Sequence, residues 1–167
     1  MSFLQRLFCG CCGGAASNRI VHENLGRLQE MNPKLNCAVI LNAQGSIIQH
    51  STSEGINIAS LEPSFKVLLQ NMSSITDFQT PARIIMIGIK RTMILMYLPT
   101  ANSIVELELN DFDQSGDLVS LQNNWTRILA LVFNNEQQPF NLQECEAFLV
   151  QQQFKTIVYN LAMVYPN

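Results

Sequence analysis

Apolar residues recur with two different spacings along the chain, and each change of spacing predicts the boundary of an element. Over residues 20–31 they lie three and four positions apart, which predicts an amphipathic helix that is capped by Ser17 or Asn18 and ends before Pro33. Two apolar runs follow, over 36–41 and 46–50. The Asn-Ala-Gln-Gly between them is typical of a hairpin loop, with its glycine available for the left-handed position.

The middle of the chain predicts a second helix and then three strands. Residues 60–75 have mixed three and four spacing, with Pro63 in the first turn of the helix. The runs 83–90 and 92–98 are almost continuously apolar, which predicts strands that are covered on both faces. Residues 104–109 alternate apolar with acidic side chains, as in a strand with one face in water.

The last third of the chain predicts helices. An apolar stripe from Leu118 to Val132 predicts a third helix, and a second stripe from Leu142 to Val164 predicts a last helix that is long or broken in two. The order is helix, two strands, helix, three strands, helix. We therefore predict an α+β fold, a five-stranded antiparallel sheet with helices on both faces, plus an extra C-terminal helix.

The N-terminal segment has a pattern of its own. Four apolar residues at helical spacing come first: Phe3, Leu4, Leu7 and Phe8. Three cysteines follow at once: Cys9, Cys11 and Cys12. Such a helix can lie at a membrane interface, and thiols beside it are candidates for S-palmitoylation. We predict a membrane-anchoring segment and linker over residues 1–17, and one folded domain over residues 18–167.

Two other interpretations of the N-terminus stay open, a frayed end and a metal cluster. For a zinc site, only His22 lies near the three cysteines, and no distant Cys-x-x-Cys completes the ligand set. Residue 2 is Ser, so the N-myristoylation signal is absent.

Composition favours a protein that binds other proteins. Hydrophobic residues make up 47% of the chain and charged residues only 14%, against about 25% in an average soluble domain. The net charge is -3 and no basic run occurs, which argues against a nucleic-acid partner. Cys37 and Cys145 stand alone in apolar surroundings and are predicted to be core thiols of a protein in a reducing compartment.

The sequence lacks the patterns of the common catalytic sites. His22 and His50 are the two histidines, and neither belongs to a nucleophile elbow or a His-Glu-x-x-His motif; a P-loop is also absent. Glu106 and Glu108 share one strand face, which the wet side of a strand explains more simply than paired acid-base carboxylates. We predict no enzymatic activity and no cofactor.

An acidic segment resembles the first half of a calcium loop. Asp111, Asp113, Ser115 and Asp117 have the spacing of oxygen ligands around such a loop. The twelfth position, however, is Gln122 in place of the bidentate Glu. The prediction is therefore an acidic turn that caps the following helix, without a metal, and calcium is the weaker alternative.

One family shares this order of elements. The hairpin Cys37-Ala-Val-Ile-Leu-Asn-Ala-Gln-Gly-Ser-Ile-Ile, with the later runs Arg83-Ile-Ile-Met-Ile-Gly and Met93-Ile-Leu-Met-Tyr, resembles the Roadblock/dynein light chain family over residues 21–133. A helix before the first strand favours Roadblock over the sister longin fold. Members of the family normally stop after the third helix, whereas this chain continues over residues 140–167.

The resemblance implies a function. It implies a non-catalytic scaffold that dimerises through a helix and a sheet edge, with a Roadblock-like subunit and a small GTPase or motor complex as partners. With an anchor added, the chain is similar in role to Ragulator-type scaffolds on the cytoplasmic face of membranes such as the endosome or lysosome. A longin-like trafficking adaptor or exchange-factor subunit is the alternative.

The second helix is the predicted partner contact, because it has more apolar positions than one core-facing stripe requires. The predicted contact residues are Phe65, Leu68, Leu69, Met72 and Ile75.

We expect replacement of Cys9, Cys11 and Cys12 by Ser to release the protein from membranes, because a helix with four large apolar side chains binds only marginally without acyl chains. Membrane fractionation and a clickable palmitate label measure this. An unchanged membrane fraction, or no label on the wild-type chain, would contradict the predicted anchor.

Overall fold

A five-stranded antiparallel sheet forms the centre of the protein. It is seen in a computed structural model, which describes residues 14–73, 83–98 and 127–165. The strands are β1 (Leu35–Asn42), β2 (Ile47–Thr52), β3 (Arg83–Ile87), β4 (Arg91–Tyr97) and β5 (Arg127–Asn134). Their order across the sheet is β2-β1-β5-β4-β3, and all neighbours are antiparallel. β1 and β5 therefore lie inside the sheet, and β2 and β3 lie at its edges.

Helices cover both faces of this sheet, which confirms the predicted fold class. The helices are α1 (Gly14–Met31), α2 (Glu62–Ser73), α3 (Leu142–Leu149) and α4 (Gln152–Val164), with a 3₁₀ turn at Ile58–Ser60 before α2. Side chains of α1, α3 and α4 share one buried cluster with the sheet, and Phe65 of α2 belongs to the cluster on the other face. The sheet thus separates two cores: the three-helix core under α1, α3 and α4, and the α2 core under α2.

Alternation along β1 shows how one strand serves both cores. Ala38 and Ile40 belong to the three-helix core, whereas Cys37, Val39 and Leu41 belong to the α2 core. All five are fully buried. Since successive side chains of a strand point to opposite faces, a strand covered on both sides needs an unbroken apolar run.

The first hairpin was predicted correctly, and it also contacts a helix. The Asn42 side chain accepts hydrogen bonds from the amides of Gln44 and Ser46, at 3.0 and 2.9 Å. Gly45 has φ of 88°, the left-handed region. A Cβ at this glycine would lie 2.9 Å from the Cα of Lys66, so the turn packs directly on the backbone of α2.

The predicted third helix is wrong over its second half. The stripe 118–132 predicted a helix, but Arg127–Asn134 is β5. Residues 128–133 are buried without interruption, so their apolar pattern has no period that separates a strand from a buried helix. Pairing with β1 on one side and β4 on the other decides the outcome. Residues 118–126 and the predicted strand 104–109 lie outside the described residues.

The second pair of strands also differs from expectation. Both strands were predicted to be covered on two faces, and Ile94 and Leu95 of β4 are indeed buried. In β3, however, Met86 and Ile87 are 37% and 48% exposed. β3 is an edge strand. Its almost continuous apolar sequence had instead predicted a strand covered on both faces.

The C-terminal helices α3 and α4 form part of the three-helix core. The last helix is broken in two: α3 ends at Leu149 and α4 begins at Gln152. Asn141 and Glu144 form a capping box that starts α3. Asn160 of α4 donates a hydrogen bond to Asn24 of α1 at 3.1 Å. α1 itself begins at Gly14, ahead of the predicted cap.

We expect Gly45→Ala to lower the free energy of unfolding by about 3 kcal/mol, because alanine disfavours the left-handed backbone and its Cβ would meet α2. Gly55→Ala is the matched control: its φ is 81°, but no atom lies within 4 Å of the added Cβ. That variant should lose only about 1 kcal/mol. Equal losses in urea unfolding of the two variants would show that the contact with α2 contributes nothing.

Candidate interaction surface

Within the described residues, no group of three His, Cys, Asp or Glu side chains could hold a metal ion. His22 and His50 are both exposed, and they lie on different elements, α1 and β2. The described parts of the chain also contain no helix that is long and apolar enough to cross a membrane.

The two core thiols are poor nucleophiles. Burial raises the pKa of Cys37 to about 12, with a smaller lowering by Arg91. Burial, together with the nearby Glu144 carboxylate, raises the pKa of Cys145 to about 11. Both thiols are therefore protonated at neutral pH, whereas catalytic cysteines need a lowered pKa.

One shallow groove lies between α1 and α4. Its volume is about 230 Å³, which is below the usual size of a small-molecule site. Its lining mixes amide, charged and apolar side chains: Ile20, Glu23, Asn24, Arg27, Tyr159, Asn160 and Met163. Within this groove the Asn24 and Asn160 amides already bond to each other, so it is better explained as a seam between two helices.

Among the described strands, β3 is paired on one side only. The amide of Gly88 donates to the carbonyl of Arg91 at 2.9 Å, so these two residues form a hydrogen-bonded pair in the hairpin. Such pairs alternate along an antiparallel ladder. Arg83, Ile85 and Ile87 therefore direct their N–H and C=O groups away from β4, and among the described strands β4 is the only neighbour of β3.

Exposed apolar side chains concentrate around this edge. Five of the large ones belong to β3, the turn after it, or the ends of α3: Met86, Ile87, Ile89, Leu142 and Val150. Ile89, at 93% exposure, is the most exposed of them. Exposed apolar groups that cluster around a sheet edge mark a surface that binds another chain. We call this surface, with β3 and α3, the β3 surface.

A buried polar cluster fixes the position of α3 beside β3. The Asn135 side chain donates to the carbonyl of Gly88 and accepts from the amide of Phe140, at 2.9 and 2.8 Å. The hydroxyl of Thr92 donates to the carbonyl of Phe140 at 2.8 Å. Phe140 also stacks on Phe133, with ring centroids 4.0 Å apart. The chain therefore enters α3 next to the end of β3.

Charge divides the β3 surface. Arg83, Lys90 and Arg91, all exposed, lie on the two strands and their turn. α3 contributes two acids: Glu146 is exposed, and Glu144 is partly buried, with its carboxylate accepting a hydrogen bond from the amide of Asn141. One surface thus carries both signs of charge beside exposed apolar groups.

The predicted contact residues of α2 are placed differently. Phe65 is fully buried and belongs to the core, so it cannot serve as a contact. Leu68 and Leu69 are half-buried against the same core. The Met72 side chain and Ile75 lie outside the described residues. Among the large apolar side chains that the structure describes on α2, Val67 is the most exposed, at 55%.

Other predicted sites also lie outside the described residues. They are the membrane-contacting Phe3, Leu4, Leu7 and Phe8, the lipidation candidates Cys9, Cys11 and Cys12, and the calcium alternative Asp111, Asp113, Ser115 and Asp117. All stay predictions.

Comparison with known proteins finds likeness at the level of structure. No family model and no curated protein matches the sequence. The gliding protein MglB from Thermus thermophilus matches with TM-score 0.58 and 12% identity, over 89% of this chain and 90% of that one. MglB from Myxococcus xanthus matches with TM-score 0.52 and 11% identity, over 87% of this chain and 86% of that one. The chain has a Roadblock-like fold.

A further match with TM-score 0.58, at 12% identity over 89% of this chain and 90% of that one, is MglB in a tetrameric arrangement. At such identities the likeness establishes the fold alone.

One sequence signal could have located the β3 surface. It is the run Ile84-Ile-Met-Ile87 followed by a turn that contains Ile89, and the sequence analysis assigned this run to a strand covered on both faces.

Proposed function

We propose that this protein is a non-catalytic assembly subunit that regulates a small GTPase at a membrane surface. The observation that carries the proposal is the β3 surface: an edge strand that pairs with no described strand other than β4, with exposed apolar side chains on and beside it. A strand edge of this kind binds another chain by adding a strand to the sheet.

The Roadblock-like fold supports the choice of partners. The resemblance implies a Roadblock-like subunit, of the same or a related sequence, and a small GTPase. The described residues offer protonated core thiols, separated histidines and a small helix seam, none of which suits catalysis. The observed α1 before β1, packed in the core through Val21, Leu25 and Leu28, is the feature that favours Roadblock over the longin-like alternative.

The position of α1 is compatible with the membrane anchor. Asn18, in the first turns of α1, accepts a hydrogen bond from Gln49 of β2 at 2.7 Å. The start of α1 therefore lies by the β2 edge, about 19 Å across the sheet from β3 at about 4.8 Å per strand. The predicted anchor and linker, residues 1–17, therefore join the folded domain at the edge opposite β3, which supports attachment and assembly at separate edges of the sheet.

We expect Ile87→Lys to convert the full-length unlipidated chain from an oligomer to a monomer, because lysine on an edge strand prevents strand pairing. Analytical ultracentrifugation over micromolar concentrations measures this. Ile48→Lys is the matched control, since Ile48 is 43% exposed on the opposite edge strand, against 48% for Ile87. It should keep the oligomer.

Circular dichroism should show that both lysine variants are folded. A wild-type chain that is monomeric at all these concentrations, or an Ile87→Lys variant that still assembles, would overturn assembly through β3.

We expect the wild-type oligomer to bind at least one member of a panel of purified small GTPases, about tenfold more tightly in one nucleotide state than in the other. Such a preference is what lets a regulator shift the GTPase between states. Biolayer interferometry with GDP and a non-hydrolysable GTP analogue measures it. Absence of binding across the panel in both states, with an intact oligomer, would remove the GTPase from the proposal.

A further inference from the structure

We propose that the groove between α1 and α4 is the docking site of residues 3–8 of the same chain, so that this apolar segment binds either the groove or a membrane. The inference rests on the membrane part of the proposed function and goes beyond it, because it gives the segment a second binding place within the protein. Membrane attachment then becomes a step that the folded domain itself regulates.

α1 and α4 run in opposite directions, with the start of α1 level with the end of α4. α1 ends at Met31, shortly before β1 begins. Directly after α4, the ring of Tyr165 packs on the guanidinium of Arg127, whose Cζ lies 4.1 Å from the ring centroid. Arg127 is the register partner of Asn42, the last residue of β1. The ends of α1 and α4 therefore lie at opposite ends of β1.

The groove has a polar middle with apolar groups beside it. In the middle, the Asn24 side chain donates to the carbonyl of Ile20 at 2.8 Å and accepts from Asn160 at 3.1 Å. The apolar groups of the lining are half-buried: Ile20, Tyr159 and Met163. A helix laid along the groove would cover them while the Asn24 amide keeps its partners, which avoids the cost of a buried polar group without a hydrogen bond.

The segment has the length of the groove. As a helix, residues 3–8 would be about 9 Å long, at about 1.5 Å per residue. Along α1 the lining extends from Ile20 to Arg27, a distance of about 10 Å. A short amphipathic helix can therefore cover the whole groove, which is the common way in which a helix binds between two others.

The segment can also reach the groove. Ile20, at its near end, lies six residues after Gly14, the first residue of α1. Residues 9–13 connect the segment to α1, and five residues span up to about 17 Å. This connection contains Gly10 and Gly13, which allow the chain to turn back along α1.

Charge fits this direction of the segment. A chain that turns back runs antiparallel to α1 and places Phe8 nearest the start of the groove. Because both helices rise equally per residue, Arg6 then lies next to Glu23 and more than one helical turn from Arg27. Glu23 already pairs with Arg19, but the Arg19 side chain is 82% exposed, and such a surface pair contributes little.

The apolar stripe of the segment cannot bind both places at once. Its residues are Phe3, Leu4, Leu7 and Phe8. In the groove this stripe faces the apolar lining, and at a membrane it faces the lipid. Docking therefore lowers the apparent membrane affinity in proportion to the fraction of molecules that are undocked.

Amide hydrogen exchange in the full-length unlipidated chain, resolved by NMR, tests the docked state. We expect the amides of residues 6–8, which bond to the first turn of the helix, to exchange about tenfold more slowly than in a free peptide of residues 1–13. Ile20→Gln with Met163→Gln makes the lining polar and should remove this protection. Val67→Gln, at 55% exposure on α2 across the sheet, is the control and should keep it.

Neutral phosphatidylcholine vesicles test the competition. Since the docked fraction sets both quantities, the groove double variant should bind the vesicles more tightly than wild type by the same factor, about tenfold. Leu4→Gln with Leu7→Gln, in the segment, should bind them more weakly than wild type. Circular dichroism checks that every variant is folded, and Met163→Gln alone replaces the double variant if that one is unfolded.

Loss of protection together with tighter vesicle binding supports the docking site. Unprotected amides in the wild type, or protection that the groove variant keeps, overturn the docking site, whereas wild-type binding to vesicles leaves the proposed function standing. Protection that rises with protein concentration assigns the groove to the segment of another copy and overturns docking within the chain. Lost protection with unchanged vesicle binding overturns the competition with the membrane.

Failure of the anchor itself has a different signature. If the wild type, the groove variant and the segment variant all bind vesicles equally weakly, the segment is not a membrane contact. That result removes the membrane part of the proposed function together with this inference.

Discussion

The pairing of β1 with β5 is the contact on which the rest of the structure depends. It joins residues 35–42 to residues 127–134, so it closes the longest loop of the sheet and brings the two halves of the chain together. Both strands are buried on both faces, and this requires helices on each side of the sheet. α2 covers one face, and α1, α3 and α4 cover the other, because both strands need cover at once.

This central pair also decides what lies at the edges. Each hairpin contributes one strand to the middle or next to it, and its other strand, β2 or β3, is left outside. The two edges then differ. β2 ends in polar residues and lies beside the start of α1, whereas β3 is almost wholly apolar and has α3 beside it. The edge with more exposed apolar groups is therefore β3, on the opposite side of the sheet from the start of α1.

Local chemistry was enough to predict some elements. The Asn42 side chain and the left-handed Gly45 specify the first hairpin within a few residues, and the three and four spacing of α1 identifies one buried stripe. The type of element could not be predicted where burial is complete. β5 has an apolar residue at nearly every position, so its sequence shows neither the two-residue period of a half-buried strand nor the period of an amphipathic helix. Similarly, Phe65 suggested a partner contact because the sequence does not show how much of the sheet one short helix must cover.

The sequence by itself determined the α+β class, the first hairpin and the absence of familiar catalytic motifs, since these depend on neighbours a few positions apart. Only the tertiary structure decided that residues 127–134 form a strand, that β3 lies at an edge, and that α3 lies beside it. Each of these depends on contacts between residues far apart in the chain, such as Asn135 with Gly88 and Thr92 with Phe140. An apolar strand has the same sequence pattern in the middle of a sheet and at its edge, because the difference lies in the neighbours that the fold supplies.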